Sequence, residues 1–350
     1  MNFPRRFVAA ILCVFTLASA LLGASKARPT RPVEDSGAYR GAIVMDAADG
    51  RILFERNPDE VTPPASMTKL MTFAVLYDKL ASSAIALDTP VRITPEDSKI
   101  GGTQVYLDSR ETFSVEELTY AMMIQSANDA AHALAHAACG SVEACVEAMN
   151  AKAAALGMTH TTFRTPHGLP PSNRVIANGD LTTPRDFALL CRYLITHTDV
   201  LKYTSVAKRD FAVNRAFGET QHMENHNKLL GKVAGVDGLK TGYTAGAGYC
   251  LSATALRNGH RLIAVIMGSF GPGGQVDKGH SRDIKTIELL ERGFASLPAN
   301  SPIFSAAIPA TTPGPASPLS VAPTLPQAKP ATADPNLAPP FQLAIPRVKK

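Results

Sequence analysis

The sequence lacks the features that mark several common classes of protein. Beyond the first residues, none of its 350 residues lies in an apolar run long enough to span a membrane. Its five cysteines include no pair at metal-site spacing, and His132 and His136 lie four residues apart without a third ligand. Most of the formal net charge of +5 comes from basic residues at the two ends, which leaves a near-neutral centre. The absence of a basic stripe excludes nucleic acid as a partner.

Both ends of the chain differ in composition from the centre. Arg5 and Arg6 precede an apolar stretch over residues 7–22, which is typical of a secretory signal peptide, with an uncleaved N-terminal anchor as the alternative. Twelve of the 26 prolines lie beyond residue 301, in a composition that cannot form a packed core. We therefore expect a signal peptide (1–27), a folded domain (28–298) and a disordered Pro/Ala-rich tail (299–350). Export across the inner membrane to the periplasm or cell envelope follows.

The centre of the chain alternates between strand and helix patterns. Residues 41–47 and 51–55 predict one β-hairpin, and residues 249–256 and 261–268, joined through Asn258-Gly259, predict another. Helical periodicity and start and stop signals predict helices over residues 67–80, 118–125, 129–138, 142–156, 184–195 and 284–295, the second preceded by a capping box of Ser114 and Glu117. The fold class is therefore α/β, an antiparallel sheet with flanking helices plus a mainly helical lobe.

Ser66 and Lys69 form the first motif that has the residue types of a catalytic site. Ser66 follows two prolines at a predicted helix start, and Lys69 lies three residues later on the same face. Serine is a weak nucleophile at neutral pH, and a lysine acts as its base only when burial or neighbouring cations lower the lysine pKa. Alone, this pattern also fits an N-cap serine followed by a surface lysine.

Two further motifs follow in the order that the same chemistry requires. Residues 126–128, Ser-Ala-Asn, fall in the break between two predicted helices, where helix capping is the alternative explanation. Residues 240–242, Lys-Thr-Gly, lie at a predicted strand, where an exposed strand end with a turn glycine is the alternative. Three weak motifs in this order and context are more specific than any one of them.

The set SxxK, SxN and KTG is the signature of penicillin-binding proteins and class A β-lactamases. From about residue 38 to about residue 297 the chain resembles the low-molecular-mass penicillin-binding proteins of the serine-type D-alanyl-D-alanine carboxypeptidase family. Four stretches carry the resemblance: residues 65–72, 125–131, 166–169 and 237–244. It implies a fold like that of the penicillin-binding transpeptidases and serine β-lactamases.

The resemblance also implies catalytic roles. Ser66 would attack the carbonyl of the D-Ala-D-Ala bond, Lys69 would accept its proton, and Ser126 would relay a proton to the leaving amine. The backbone N–H groups of Ser66 and Tyr243 would form the oxyanion hole. No metal or organic cofactor is expected, because this Ser-Lys chemistry needs neither.

Substrate-binding roles are implied for five further positions. Asn128 would hold the substrate's backbone amide, Lys240 and Thr241 would recognise the terminal carboxylate, and Gly242 would let the substrate strand lie close. Arg282, expected just before the last helix, would assist with the carboxylate, a plain surface arginine being the alternative. His226 would be a rim residue, since some family members place arginine there.

The expected substrate is the peptidoglycan pentapeptide stem, with β-lactam antibiotics as covalent inhibitors. The Pro-rich tail stands where many family members carry a β domain and an amphipathic helix, which disfavours membrane attachment. The alternatives are a D,D-endopeptidase of peptidoglycan crosslinks and a non-catalytic muropeptide-binding protein. A β-lactamase is disfavoured because residues 166–180 supply no glutamate.

Four cysteines follow the predicted signal peptide. Cys139 and Cys145 bracket a short break between two predicted helices and are the favoured disulfide pair, although sequence does not supply their geometry. Cys191 and Cys250 lie in apolar surroundings typical of buried free thiols.

Overall fold

The computed structural model describes residues 39–212 and 215–306. The predicted signal peptide and nearly all of the predicted tail lie outside these residues. Within them, no helix is long and apolar enough to cross a membrane.

The described residues form nine strands and seven α-helices. The strands are β1 (Gly41–Asp46), β2 (Ile52–Arg56), β3 (Pro90–Arg92), β4 (Thr112–Ser114), β5 (Lys208–Phe211), β6 (Gln221–Glu224), β7 (Val236–Thr244), β8 (Gly248–Arg257) and β9 (His260–Ser269). The helices are α1 (Lys69–Ala81), α2 (Val115–Tyr120), α3 (Asn128–Cys139), α4 (Val142–Ala155), α5 (Pro184–His197), α6 (Leu201–Thr204) and α7 (His280–Ala295). A 3₁₀ turn (Ala65–Thr68) leads into α1, and a π-helical turn (Ala121–Gln125) continues α2.

A five-stranded antiparallel sheet in the order β2-β1-β9-β8-β7 forms the centre. Asn258 and Gly259 both have positive φ, 49° and 81°, which is the turn that matches the twist of two paired strands. Both predicted hairpins are present. Strand β7 lies at an edge of the sheet, so one side of its backbone is unpaired there.

Helices cover both faces of the sheet. Along β9, Ile263, Val265 and Met267 belong to the core shared with the helical lobe, whereas Leu262 and Ile266 pack with the other cluster, which includes α7. Successive residues of β9 thus point to opposite faces of the sheet, and both faces are buried. This explains why residues 262–266 form a continuous apolar run. The predicted α/β class, a sheet with flanking helices and a helical lobe, is confirmed.

Two expectations about helix starts need correction. Ser114 Oγ accepts the Glu117 N–H at 3.1 Å, but the Glu117 carboxylate turns away to Arg209 and the Ala212 N–H, so only half of the predicted capping box forms. Helix α7 begins at His280, so Arg282 lies in its first turn and not before it.

The favoured disulfide between Cys139 and Cys145 is not formed in this structure. Both are free thiols, as are Cys191 and Cys250. The last two are fully buried, as their apolar surroundings predicted. The chain still contacts the turn between β8 and β9 beyond residue 298, where the Phe304 N–H donates to the Gly259 carbonyl at 2.8 Å.

Candidate active site

Ser66 lies in the 3₁₀ turn at the start of α1, on the wall of a cleft of about 650 Å³. The preceding Ala65 has φ of 49°, a left-handed conformation that a non-glycine residue rarely adopts. This sharp entry presents Ser66 at the first turn of the helix. Lys69, one turn later, places its Nζ 3.0 Å from Ser66 Oγ.

The side chain of Lys69 is completely buried and makes three polar contacts. Besides Ser66 Oγ, its Nζ lies 2.6 Å from Asn128 Oδ1 and 2.8 Å from the His167 carbonyl oxygen. A neutral amine has two N–H donors and one lone pair. The amide and carbonyl oxygens accept both hydrogens, which leaves the lone pair for the Ser66 hydroxyl proton.

The burial of Lys69 favours this neutral amine. Burial lowers the pKa of Lys69 well below its usual range, and the charge on Lys240 lowers it further, whereas Asp180 and Asp129 oppose the shift. An uncharged amine 3.0 Å from a serine hydroxyl can act as its general base.

The second motif approaches Lys69 from the end of the π-helical turn. Ser126 has φ of 66°, ends that turn and lines the same cleft as Ser66. Asn128, at the start of α3, is buried with its Oδ1 on Lys69 and its Nδ2 donating to the Gly101 carbonyl at 2.8 Å. Asn128 therefore holds Lys69 in this structure, and because its Nδ2 carries two hydrogens, one can stay on Gly101 while the other donates to a substrate carbonyl.

The third motif lies on the edge strand β7, across the cleft from α1. Thr241 and Gly242 line the cleft, and Lys240 is buried beside them with its Nζ 3.3 Å from the Thr241 carbonyl. A Cβ on Gly242 would lie 2.5 Å from the Pro64 carbonyl oxygen. A side chain on Gly242 would therefore collide with the protein itself, so the glycine is needed for β7 to pack against the turn that carries Ser66.

Cations gather at the β7 end of the cleft. Burial and the nearby Arg282 guanidinium lower the pKa of Lys240 to about 7. Arg282 is itself buried, lines the cleft and is held by its Nε–H donating to Asp283 at 2.9 Å. Lys228 and Lys278 also line this end, so the cleft is suited to an anionic group.

Aromatic side chains complete the cleft wall. The exposed ring of Tyr243 stacks on Tyr249 with centroids 4.2 Å apart, and both rings line the cleft. His226 lies at the rim as predicted, where desolvation and the charges of Lys240, Lys69 and Arg282 lower its pKa to about 4.

The structure brings together all the residues predicted for the site and adds others that the motifs do not name. The His167 carbonyl belongs to residues 166–169, which were singled out only as a similar stretch, and Gln125 lies next to the second motif. Asp180 has no motif to mark it. His132, the alternative metal ligand, instead bonds through Nδ1 to Asp97 at 2.6 Å, and no group of side chains in residues 39–212 and 215–306 is arranged to hold a metal ion.

Both the sequence and the fold have relatives among known proteins. The family model for peptidase family S11, D-alanyl-D-alanine carboxypeptidase, matches residues 28–271. D-alanyl-D-alanine carboxypeptidase DacF of Bacillus subtilis (strain 168) is 31% identical over 256 residues, which cover 73% of this chain and 62% of that protein. D-alanyl-D-alanine carboxypeptidase DacC of Escherichia coli (strain K12) is 39% identical over 237 residues, 66% of this chain and 56% of that protein. The chain thus spans less than two thirds of the length of either relative.

A solved structure extends the similarity to the fold. Penicillin-binding protein D2 from Listeria monocytogenes, in its ampicillin-bound form, superposes with a TM-score of 0.61 at 33% identity. The match covers 73% of this chain and 97% of that one.

Proposed function

The chain belongs to the D-alanyl-D-alanine carboxypeptidase family of serine peptidases, and we propose that it removes the terminal D-alanine from peptidoglycan pentapeptide stems through an acyl-enzyme at Ser66. One observation carries the proposal. The fully buried Lys69 amine lies 3.0 Å from Ser66 Oγ, with its two hydrogens directed at other acceptors.

Acylation starts with proton transfer from Ser66 Oγ to Lys69 Nζ. The Ser66 oxygen attacks the carbonyl carbon of the D-Ala-D-Ala bond, and the negative charge that develops on the carbonyl oxygen is stabilised by the backbone N–H groups of Ser66 and Tyr243. The first N–H groups of a helical turn have no acceptor within that turn, which leaves the Ser66 N–H free for this role. Ser126 relays the proton to the amine of D-alanine as the C–N bond breaks.

Deacylation repeats the sequence with water as the nucleophile. Lys69, neutral again after it has given up its proton, accepts a proton from water, the hydroxide oxygen attacks the ester carbonyl, and Ser66 leaves with a proton. β-Lactams form the same ester, whose slow hydrolysis makes them covalent inhibitors. The likeness to a penicillin-binding protein solved with ampicillin supports this part of the proposal.

Preference for a C-terminal dipeptide comes from the cationic end of the cleft. Lys240, Thr241 and Arg282 bind the free carboxylate, which an internal peptide bond lacks. Asn128 binds the substrate amide through the second hydrogen of its Nδ2. Gly242 keeps the edge strand β7 packed against the turn that carries Ser66, beside the bound peptide.

The remaining parts of the proposal concern the ends of the chain and its partners. We infer an exported, cell-envelope enzyme with a signal peptide (1–27), a catalytic domain (28–298) and a Pro/Ala-rich tail (299–350), without nucleic acid as a partner. Treating cells with a protease that reaches only the envelope, followed by immunoblotting, tests the location.

The activity is tested by D-alanine release from diacetyl-Lys-D-Ala-D-Ala and by fluorescent penicillin labelling. Ser66→Ala should lose both, whereas Ser205→Ala, which changes an exposed serine outside the cleft, should keep both. Labelling without release, together with cleavage of crosslinked wall fragments, would replace the carboxypeptidase with the endopeptidase. Absence of all three would favour the non-catalytic muropeptide-binding protein.

A further inference from the structure

We propose that Asp180 is a positioning residue of this active site, which ties the helix carrying Ser66 and Lys69 to the loop that supplies the Lys69 carbonyl acceptor. The inference rests on the proposed function, because it assumes that Lys69 is the base. Asp180 lies outside all three motifs, 111 positions after Lys69 in the sequence.

The carboxylate of Asp180 is buried and accepts four hydrogen bonds. Its Oδ1 accepts the N–H groups of Arg164 at 2.7 Å and Thr165 at 3.0 Å. Its Oδ2 accepts the hydroxyls of Thr68 and Thr165, both at 2.9 Å. Thr68 lies between Ser66 and Lys69, so one carboxylate joins the nucleophile turn to the loop over residues 164–168.

The same loop reaches Lys69 through its backbone. The Thr165 hydroxyl accepts the Gly168 N–H at 2.8 Å, and the neighbouring His167 carbonyl accepts from Lys69 Nζ at 2.8 Å. Gly168 has φ of 82° and packs so closely that a Cβ on it would lie 2.0 Å from the Ala65 carbonyl oxygen. The position of the Lys69 acceptor therefore depends on a loop that Asp180 anchors.

The hydrogen bonds around Asp180 are those of an ionised carboxylate. Burial raises the pKa of Asp180 above its usual value, and the N–H and O–H groups that donate to it offset only part of that shift. All four contacts are donors to the carboxylate, so a proton on Oδ1 would displace a backbone N–H, and a proton on Oδ2 would require a threonine hydroxyl to turn and accept it. Its negative charge therefore faces the Lys69 amine.

Two charged groups besides Asp180 also shift the pKa of Lys69. Asp129 on α3 opposes the lowering of the Lys69 pKa together with Asp180, and Lys240 on β7 contributes to the lowering. His167 in the loop is neutral, because burial lowers its pKa to about 3. Removing the Asp180 charge should thus lower the Lys69 pKa further.

Asp180→Asn tests the charge with little change in shape. The asparagine oxygen can keep both backbone N–H donors, and its amide can donate to the two threonine hydroxyls, whose oxygens also accept. The readout is the pH dependence of the second-order rate of Ser66 acylation by fluorescent penicillin. We expect the acidic limb to move to lower pH by roughly half a unit or more.

Asp186→Asn is the matched control. Asp186 is buried in the same region and accepts the His160 N–H at 2.7 Å and the Thr161 hydroxyl at 2.8 Å, but its charge is not among those that shift Lys69. Its acidic limb should coincide with that of the wild type. Equal shifts in both variants, or none in Asp180→Asn, would overturn the proposal.

A second variant covers the case in which Asp180→Asn does not fold. Thr68→Val removes the link to the nucleophile turn and leaves the Asp180 charge, so it should lower the plateau acylation rate on the order of ten-fold. An unchanged plateau per penicillin-titrated site would overturn the positioning role. The acylation readout does not require peptide cleavage, so absence of D-alanine release from the wild type would refute the proposed function alone.

Discussion

Raising the pH should weaken recognition of the substrate carboxylate before it affects the nucleophile. Burial and Arg282 lower the pKa of Lys240 to about 7, so this cation loses its charge in a range where the terminal carboxylate stays ionised. A hydrogen bond to a charged group contributes about 1.5–3 kcal/mol, or roughly ten- to 150-fold in kcat/KM. We therefore expect kcat/KM to fall above about pH 7 to a lower plateau rather than to zero, because Arg282 keeps its charge.

The kcat profile should differ from the kcat/KM profile in a defined direction. A bound carboxylate stabilises the protonated Lys240 and raises its pKa in the complex. Since kcat reports groups in the complex and kcat/KM reports those in the free enzyme, the basic limb of kcat should lie at higher pH. The assay is D-alanine release from diacetyl-Lys-D-Ala-D-Ala, coupled to a D-amino acid oxidase, between about pH 5 and about pH 10.

Two controls separate Lys240 from other titrating groups. Lys240→Arg keeps a charge throughout the range, so its basic limb should disappear. A peptide with a C-terminal amide has no carboxylate, so its slower cleavage should not show the limb. An identical limb for the acid and the amide, or no limb below about pH 9, would refute the assignment.

Three further perturbations have clear expected outcomes. Gly168→Ala places a Cβ 2.0 Å from the Ala65 carbonyl oxygen at a residue with a left-handed φ. Thermal unfolding should therefore show that the free energy of unfolding falls by at least about 2 kcal/mol, and unchanged stability would contradict this packing. Lys240→Met should lower kcat/KM for D-alanine release by roughly ten- to 150-fold. It should also raise the free energy of unfolding at pH 7 by up to about 4 kcal/mol, because the buried amine has a lowered pKa. This gain should shrink as the pH rises toward 10.5, since the unfolded lysine then loses its proton as well, and a pH-independent gain would contradict the cause. A hydrogen bond from the Cys145 thiol lowers the pKa of Cys139 to about 7, so mild oxidation should form a disulfide between the two. This disulfide should add about 2 kcal/mol to the free energy of unfolding. Mass spectrometry that finds both thiols still free after oxidation would exclude the pair.

Local patterns were enough to predict the framework of the fold. Asn258-Gly259 predicts its hairpin because a two-residue turn with positive φ at both positions selects these residues. The run over residues 262–266 predicts a strand covered on both faces because its neighbours on either side are apolar. The boundary of α7 was missed by four residues, since His280 and the polar residues after it carry no hydrophobic periodicity.

The motifs located the reacting residues but not the contacts that position them. Ser66 and Lys69 are close in sequence, so helical spacing alone brings Nζ near the hydroxyl. The Asn128 contact with Lys69 spans 59 positions and the Asp180 contact with Thr68 spans 112. Such contacts depend on the tertiary path of the chain, which no local pattern encodes.

The resemblance assigned different roles to the two buried lysines, Lys69 and Lys240, and their surroundings supply physical reasons for the difference. Burial is the largest cause of the lowered pKa of both lysines. Lys69 is surrounded by oxygen acceptors, whereas Lys240 lies beside Arg282 at the anion-binding end. The charge on Lys240 lowers the Lys69 pKa, so the cation that attracts the substrate also keeps the base deprotonated in the free enzyme. In the proposed reaction, the bound carboxylate offsets part of that positive field. The Lys69 amine is therefore more basic in the complex than in the free enzyme, at the step in which it must accept the Ser66 proton.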